Sequence, residues 1–596
     1  MPPSTRPHLR SRDKIHESIL KGDIDDQLSY ERALDELQLS EKDSAFDALI
    51  ASQTTEVEKE AASLLRKIRA YDLETTFKQS HDDKGYPTSQ LLGGEHFLGN
   101  TNLINQTELL KVAKKMPKGA HLHVHFNSCL QPSFLIQQAR KIDAMYIRSS
   151  TPLIKPEDFV VSRISFMVMK ESEALQYRNP DGTECERPLG NIFTTNYVAN
   201  TWMRYRAFQR KFMRVDETSR LLKGREEAEK WLEHKMLISE EEAHGIHQTG
   251  RGIWERFNTR TQMMKGLFAY ESAFRNYTRA CVQDFVDDNI QYAEIRPNFM
   301  STNSLKSDDG ERSIENEGIM GIINAELRDT MHQINRNGQY FGGMKVIYCT
   351  PRSFQKRQVE IALDECLDLK KKFGGLLCGF DLVGHEEMGN ELRHFVPEFL
   401  EFRRKCKAQS LDIPFLFHCG ETLQVGGKVD GNLYDAILLN SKRIGHGYAL
   451  ARHPFLMDYF KKKNIAIESC PISNEILGLT PTMAGHNLPT LLANDVPCTI
   501  NSDNATFYKS SLSHDFYQVM ISSESMSLYG WKQLAKWSLE HSCMEPEMLA
   551  SVTKVWEVRW AEFCLWIVDE YRPKFGNWEP ANAHLRNWPP NNGTTN

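Results

Sequence analysis

Apolar and polar positions change their period along this chain. Between about 56 and 71, Ala61, Leu64, Leu65, Ile68 and Ala70 fall among alternating charges, the spacing of an amphipathic helix. Residues 1–112 read as a helical extension of this kind, without catalytic candidates, and suited to packing or dimerisation. From 120 onward the pattern changes to short continuous apolar runs, near 121–126, 290–296, 343–349, 377–383, 414–418, 443–446, 464–468 and 497–501. Such runs fit strands buried on both faces. Helical patterns such as Val359 to Lys372 and Glu398 to Ala408 fill most later gaps. Alternating strands and helices predict an α/β chain, and eight runs predict a (β/α)8 TIM-type barrel over 113–525. The first gap, about 160 residues, is far longer than one crossover needs. We read 127–252, with the turn-like Asn179-Pro-Asp-Gly182, as an insertion at the C-terminal mouth of the barrel. Residues 526–580 read as helices packing on the barrel, with Trp556, Trp560, Phe563 and Trp566 at helical spacing as core. The tail 581–596 is expected to be disordered.

Composition narrows the function. A net charge of −6 offers no basic stripe for nucleic acid. No apolar run approaches the ~20 residues of a membrane span. The polar start, Met-Pro-Pro-Ser-Thr-Arg-Pro, lacks the apolar core of a signal peptide. The 12 cysteines form no Cys-x-x-Cys pair, and Cys349, Cys378, Cys470 and Cys498 sit in strand-like runs. The expectation is a cytoplasmic protein with reduced cysteines.

The chemistry gathers at strand ends. In Gly119-Ala-His-Leu-His-Val-His-Phe-Asn127, His123 and His125 alternate on a strand and project to one face, where they can share a metal ion. His121 has the same parity and could join them. The fifth run ends in His418-Cys-Gly-Glu421, the sixth in Arg443-Ile-Gly-His446-Gly, and the eighth in Asn501-Ser-Asp503-Asn504. Barrels place active-site groups at these C-terminal ends. His123, His125, His418 and Asp503 give three imidazoles and a carboxylate, a set that suits one zinc ion per chain with room for water. Glu421 and His446 are the acid–base candidates. The fourth run, ending Gly379-Phe-Asp-Leu-Val-Gly384-His-Glu386, offers no lysine for carbamylation, which argues against a two-metal arrangement.

These pieces, with Cys470-Pro-Ile-Ser-Asn474, resemble the adenosine deaminase family over about 120–510. Met116-Pro-Lys-Gly119, the phrase up to Glu386, and Trp254-Glu-Arg-Phe257 leading into Tyr292-Ala-Glu-Ile-Arg296 are similar to its growth-factor-type branch. The resemblance implies zinc-dependent hydrolysis of adenosine and 2′-deoxyadenosine, and a homodimer through the N-terminal helices. It implies that His123, His125, His418 and Asp503 bind zinc, that Glu421 protonates purine N1, and that His446 orients the attacking water and removes its proton. Gly384 would offer its N–H to purine N3, and Trp254 would wall the pocket. Two positions depart from the family. Asn504 stands where a second Asp is usual, and an amide can donate to purine N7 without needing protonation. Phe126 and Asn127 follow the first His pair where the branch often has Asp, so a ribose-contacting carboxylate is missing there, which bears on 5′-group specificity; Asn127 is a further substrate-binding candidate. Rival readings are a deaminase of AMP, adenine or a modified purine nucleoside, and a non-catalytic signalling or binding homologue.

Overall fold

A computed structural model describes residues 15–78, 93–216, 218, 220–300 and 303–580. The expected disorder of 581–596 and the polar start at 1–14 lie outside the described residues.

The helix Glu56–Thr75 begins at a capping box: Thr55 Oγ1 accepts from Glu58 N at 3.2 Å, and Glu58 Oε2 accepts from Thr55 N at 3.0 Å. Its stripe of Ala61, Leu64, Leu65 and Ile68 is buried. The helix packs against the long C-terminal helix Pro546–Phe575, whose Trp556, Trp560 and Phe563 are also buried. Trp560 Nε1 donates to Glu58 Oε1 at 3.1 Å, so these two helical regions, remote in sequence, are tied together. The apolar stripe expected to serve packing or dimerisation is therefore spent within the chain. Leu65→Ala should cost ~2–5 kcal/mol. Denaturant unfolding of the variant beside its parent measures this, and a loss under ~1 kcal/mol would mean the seam tolerates a cavity there.

Eight parallel strands follow in chain order: β1 (Ala120–His125), β2 (Tyr292–Arg296), β3 (Gly343–Pro351), β4 (Leu377–Val383), β5 (His418–Cys419), β6 (Arg443–His446), β7 (Ala466–Ser469) and β8 (Cys498–Ile500). They form two sheets, ordered β1-β2-β3-β4 and β5-β6-β7-β8. Main-chain bonds link the sheets on both sides. Asp503 N donates to His123 O and His125 N to Asp503 O, each at 3.1 Å; Phe380 N donates to Pro414 O at 3.0 Å and Leu416 N to Phe380 O at 2.9 Å. Helices fill the gaps, among them Glu271–Asp287 before β2, Asn316–Arg336 before β3, Lys356–Lys372 before β4 and Val396–Ala408 before β5. β2 and β4 are buried along their whole length, as continuous apolar runs require.

Two local expectations need correction. The fifth strand, expected over 414–418, is regular only at His418–Cys419, with Phe415 in an isolated bridge. Pro414 there has no N–H to give. Strand β1 also carries a register shift between His121 and Val124. A bulge of this kind breaks the two-residue alternation. His121 accordingly does not join His123 and His125. Its Nε2 faces the main-chain N and hydroxyl of Ser502, at 3.2 and 3.1 Å.

Between β1 and β2 the chain builds an antiparallel sheet from Met145–Ser149, Ile164–Val168 and Met203–Arg204, with two hairpins and several helices. The Asn179–Gly182 turn closes one hairpin, with Gly182 at φ +89° and its N–H bonded to Asn179 O at 3.0 Å. The helix Gly250–Phe268, which a boundary at 252 would cut, packs on Ile164–Val168. A side chain at Gly266 would run into the Phe166 carbonyl, so glycine permits that approach. Packing in this region thus extends to about 268. Among the described residues, no helix is long and apolar enough to cross a membrane. The twelve cysteines are free, and all but Cys185 and Cys543 are buried.

Candidate active site

Register brings the site together. His418 on β5 pairs with Gly445 on β6, and Gly445 with Glu468 on β7. A Cβ at Gly445 would lie 2.8 Å from the His123 ring, so glycine there leaves room for the imidazole. One ligand-type atom from each of His123, His125, His418 and Asp503 lies within 4.8 Å of the others. His125 Nε2 is 3.3 Å from both His418 Nε2 and Asp503 Oδ1, and His123 Nε2 is 3.6 Å from Asp503 Oδ1. Two ligands held ~2.0–2.1 Å from a tetrahedral zinc ion are separated by about 3.4 Å.

The opposite ring nitrogens are already engaged. His123 Nδ1 is 2.7 Å from Glu468 Oε2, and His418 Nδ1 is 2.7 Å from Asp381 Oδ2. A carboxylate can only accept, so each Nδ1 carries the proton and each Nε2 presents a lone pair. The Nε2 of His123, fully buried, has no hydrogen-bond partner among the described residues. Lone pairs converging in a buried space fit a bound cation, and carboxylates behind ligating imidazoles are the usual orienting partners. Burial holds the His125 imidazole down to about 3, and burial with nearby Arg296 holds His123 well below its usual range. Both are neutral at pH 7, as metal ligation requires.

Behind these histidines lies an ionic network absent from the sequence reading. Arg296 donates through Nε to Asp381 at 2.9 Å and through an Nη to Glu468 at 2.6 Å. Arg443 donates to Glu468 at 2.6 Å and Glu294 at 2.5 Å. All five side chains are fully buried. Glu294, Arg296, Asp381 and Arg443 stood inside the quoted motifs, but each pairs with a residue from another strand. Ser473 was also missed; its hydroxyl donates to Asp503 Oδ2 at 2.7 Å.

Glu421 and His446 face each other across the mouth, with Nε2 3.6 Å from Oε1. Burial raises the Glu421 carboxyl above its usual range. Burial opposes protonation of His446, but the carboxylates of Glu421 and Asp503 and the bond to Asn474 raise it. His446 Nδ1 pairs with Asn474 Oδ1 at 3.1 Å. Glu386, another residue without a sequence-based role, accepts from Gly420 N at 3.0 Å and Glu421 N at 2.6 Å, fixing the loop after β5.

The remaining candidates come from four other segments of the chain. Gly384 has φ +103°, and the space where a side chain would project is open. The Trp254 ring stacks on His385, next to Gly384, with centroids 4.6 Å apart and planes 8° apart. Asn504 donates to Asp503 Oδ1 at 2.7 Å and accepts from Ser128 Oγ at 2.6 Å, which leaves one of its two N–H groups for a ligand. Asn127 is half-buried in the turn Phe126–Ser128. Phe126 is fully buried against Phe268, Phe274 and Tyr277, so this departure from the family is a core residue.

The adenosine deaminase family model matches residues 235–554. That span holds β2 to β8 with His418, Glu421, His446 and Asp503; the first His pair precedes it. Adenosine deaminase 2 of Homo sapiens is 28% identical over 471 residues, 78% of this chain and 82% of its own length. The adenosine deaminase of Phlebotomus duboscqi is 30% identical over 479 residues, 80% of this chain and 82% of that protein. Adenosine deaminase 2 of Dictyostelium discoideum is 27% identical over 493 residues, with 82% and 81% covered.

Proposed function

The chain belongs to the adenosine deaminase family, and from that premise we propose that it hydrolyses adenosine, and 2′-deoxyadenosine, to the inosine product and ammonia at a one-zinc site. The observation that carries this reading is the convergence of four donor groups, two of whose imidazoles are pinned through Nδ1 to buried carboxylates. We also infer that the two sheets form one closed (β/α)8 barrel, since main-chain bonds link them along both edges.

In this proposal His123, His125, His418 and Asp503 hold the ion. When bound, zinc supplies a Lewis acid that lowers the pKa of water towards ~7. Burial favours the acid form of Glu421, which delivers its proton to purine N1 as the water oxygen adds at C6. His446 orients that water and takes its proton. His446 returns its proton to the departing amine, Glu421 recovers one from the C6 hydroxyl, and loss of ammonia leaves the inosine product. Gly384 N–H serves purine N3, Asn127 lies towards the sugar, and Trp254 on His385 walls the pocket.

Ammonia release from adenosine, AMP and adenine, compared on zinc-loaded protein, tests this reading. Adenosine should have the highest kcat/KM, and a clear preference for AMP or adenine would reassign the substrate. Asp381→Asn should weaken zinc binding ~10–100-fold, as loss of a carboxylate behind a ligand does. Titration against a chelator measures it, and unchanged affinity would leave Asp381 without influence on the ion. The free N–H of Asn504, held in place by Asp503 and Ser128, is assigned to purine N7. The 7-deaza analogue of adenosine leaves that donor unpaired, at about 1–3 kcal/mol. Its kcat/KM should fall roughly ten- to a hundredfold. Equal rates on both substrates would remove Asn504 from base recognition.

A further inference from the structure

We propose that His96, His244 and Glu475 form a second metal site, separate from the active-site donors, for a divalent transition ion of the zinc class. The three residues come from different parts of the chain. His96 precedes the helix Phe97–Ile104, His244 ends the short helix Glu240–His244 in the insertion, and Glu475 lies on the helix Pro471–Ile476 that follows β7. One ligand-type atom from each lies within 4.8 Å of the other two. The two imidazole rings approach to 4.6 Å between centroids.

The chemistry of the junction is incomplete without a cation. Glu475 is fully buried. Its Oε1 accepts from Phe97 N at 2.7 Å and lies 3.3 Å from His244 Nε2. Its Oε2 has no hydrogen-bond partner among the described residues, and neither do the buried His96 Nδ1 and His244 Nε2. A simple His–Glu ion pair would satisfy His244 Nε2 with a directed hydrogen bond and would still leave Oε2 and His96 Nδ1 unpaired. Buried polar atoms left in this state are costly. A cation held by one ligand atom from each residue would place a positive charge within this unsatisfied group. Two imidazole nitrogens and one carboxylate oxygen suit zinc, with water completing the shell.

The position has a structural consequence. Glu475 adjoins Asn474, which bonds to His446 Nδ1 at 3.1 Å and to His486 Nε2 at 2.9 Å. An ion at Glu475 would tie the insertion and the segment before Phe97 to the helix that orients His446. It is a positioning site, since none of its three residues is in the acid–base pair or the active-site ligand set.

The test is a zinc count by elemental analysis on full-length protein, equilibrated with zinc and desalted. Wild type should carry two equivalents. His244→Ala should remove one equivalent from wild type and one from His418→Ala, so that failure of the active-site assignment is told apart from failure of this one. His96→Ala, on a different element, should repeat the loss, with circular dichroism matching the parent in each case. An unchanged zinc count on introducing His244→Ala, in either background, overturns the proposal. So does retention of the second equivalent in His96→Ala.

Discussion

Glu421→Gln should lower kcat by at least ~10²–10⁴-fold, the usual worth of a positioned general acid or base, while zinc content and fold stay as in the parent. Glutamine has nearly the same shape and keeps the main-chain bond from residue 421 to Glu386, at 2.6 Å, that fixes the loop. What it lacks is a transferable proton. Burial raises the Glu421 carboxyl, so the acid form persists to higher pH than for an exposed glutamate. Activity should fall as pH rises through that elevated value, because the acid is then lost. In the variant, residual turnover should lose this dependence. Paired measurements of kcat, zinc content and pH profile decide the matter. Near-parental kcat, or an unchanged basic limb, would remove Glu421 from the proton-transfer role.

His418→Ala should have the other large effect. His418 contributes an Nε2 that lies 3.3 Å from His125 Nε2, and its Nδ1 is held by Asp381. Its removal takes away one donor of four and leaves Asp381 with Arg296 as its remaining charged partner. The loss of zinc affinity at the active site should exceed the ~10–100-fold expected for a change behind a ligand, and deamination should fall with it. Unfolding should also occur at lower denaturant, because a buried carboxylate has lost a partner. Full active-site zinc occupancy in this variant at stoichiometric metal would show that the ligand set is wrong.

Sequence and structure agree where the signal is local. The apolar runs mark the strands because a strand buried on both faces is mostly apolar, its few charges paired within the core, and the helical patterns at Val359 to Lys372 and Glu398 to Ala408 begin within three residues of the observed helices. Strand-end histidines were legible because neighbouring parallel strands present their C-terminal ends on one side of the sheet. The departures are non-local. His121 has the right parity, but the register shift in β1 turns it towards Ser502. The carboxylate behind His123 stands 345 residues away, at Glu468, and only strand order brings the two together. Phe126 stands where the family branch often has Asp, and its neighbours Phe268, Phe274 and Tyr277 make it core. The His96, His244 and Glu475 group joins three segments that no spacing rule connects.

The central claim is metal-dependent hydrolysis of adenosine at the His123, His125, His418 and Asp503 site. Its most direct test is product formation through a cycle of metal removal and return. Zinc-loaded protein should convert adenosine to equimolar inosine and ammonia, lose that activity on complete chelation, and regain it when zinc is restored. Turnover that survives verified metal removal, or fully zinc-loaded and folded protein that releases no ammonia from adenosine, would contradict the account.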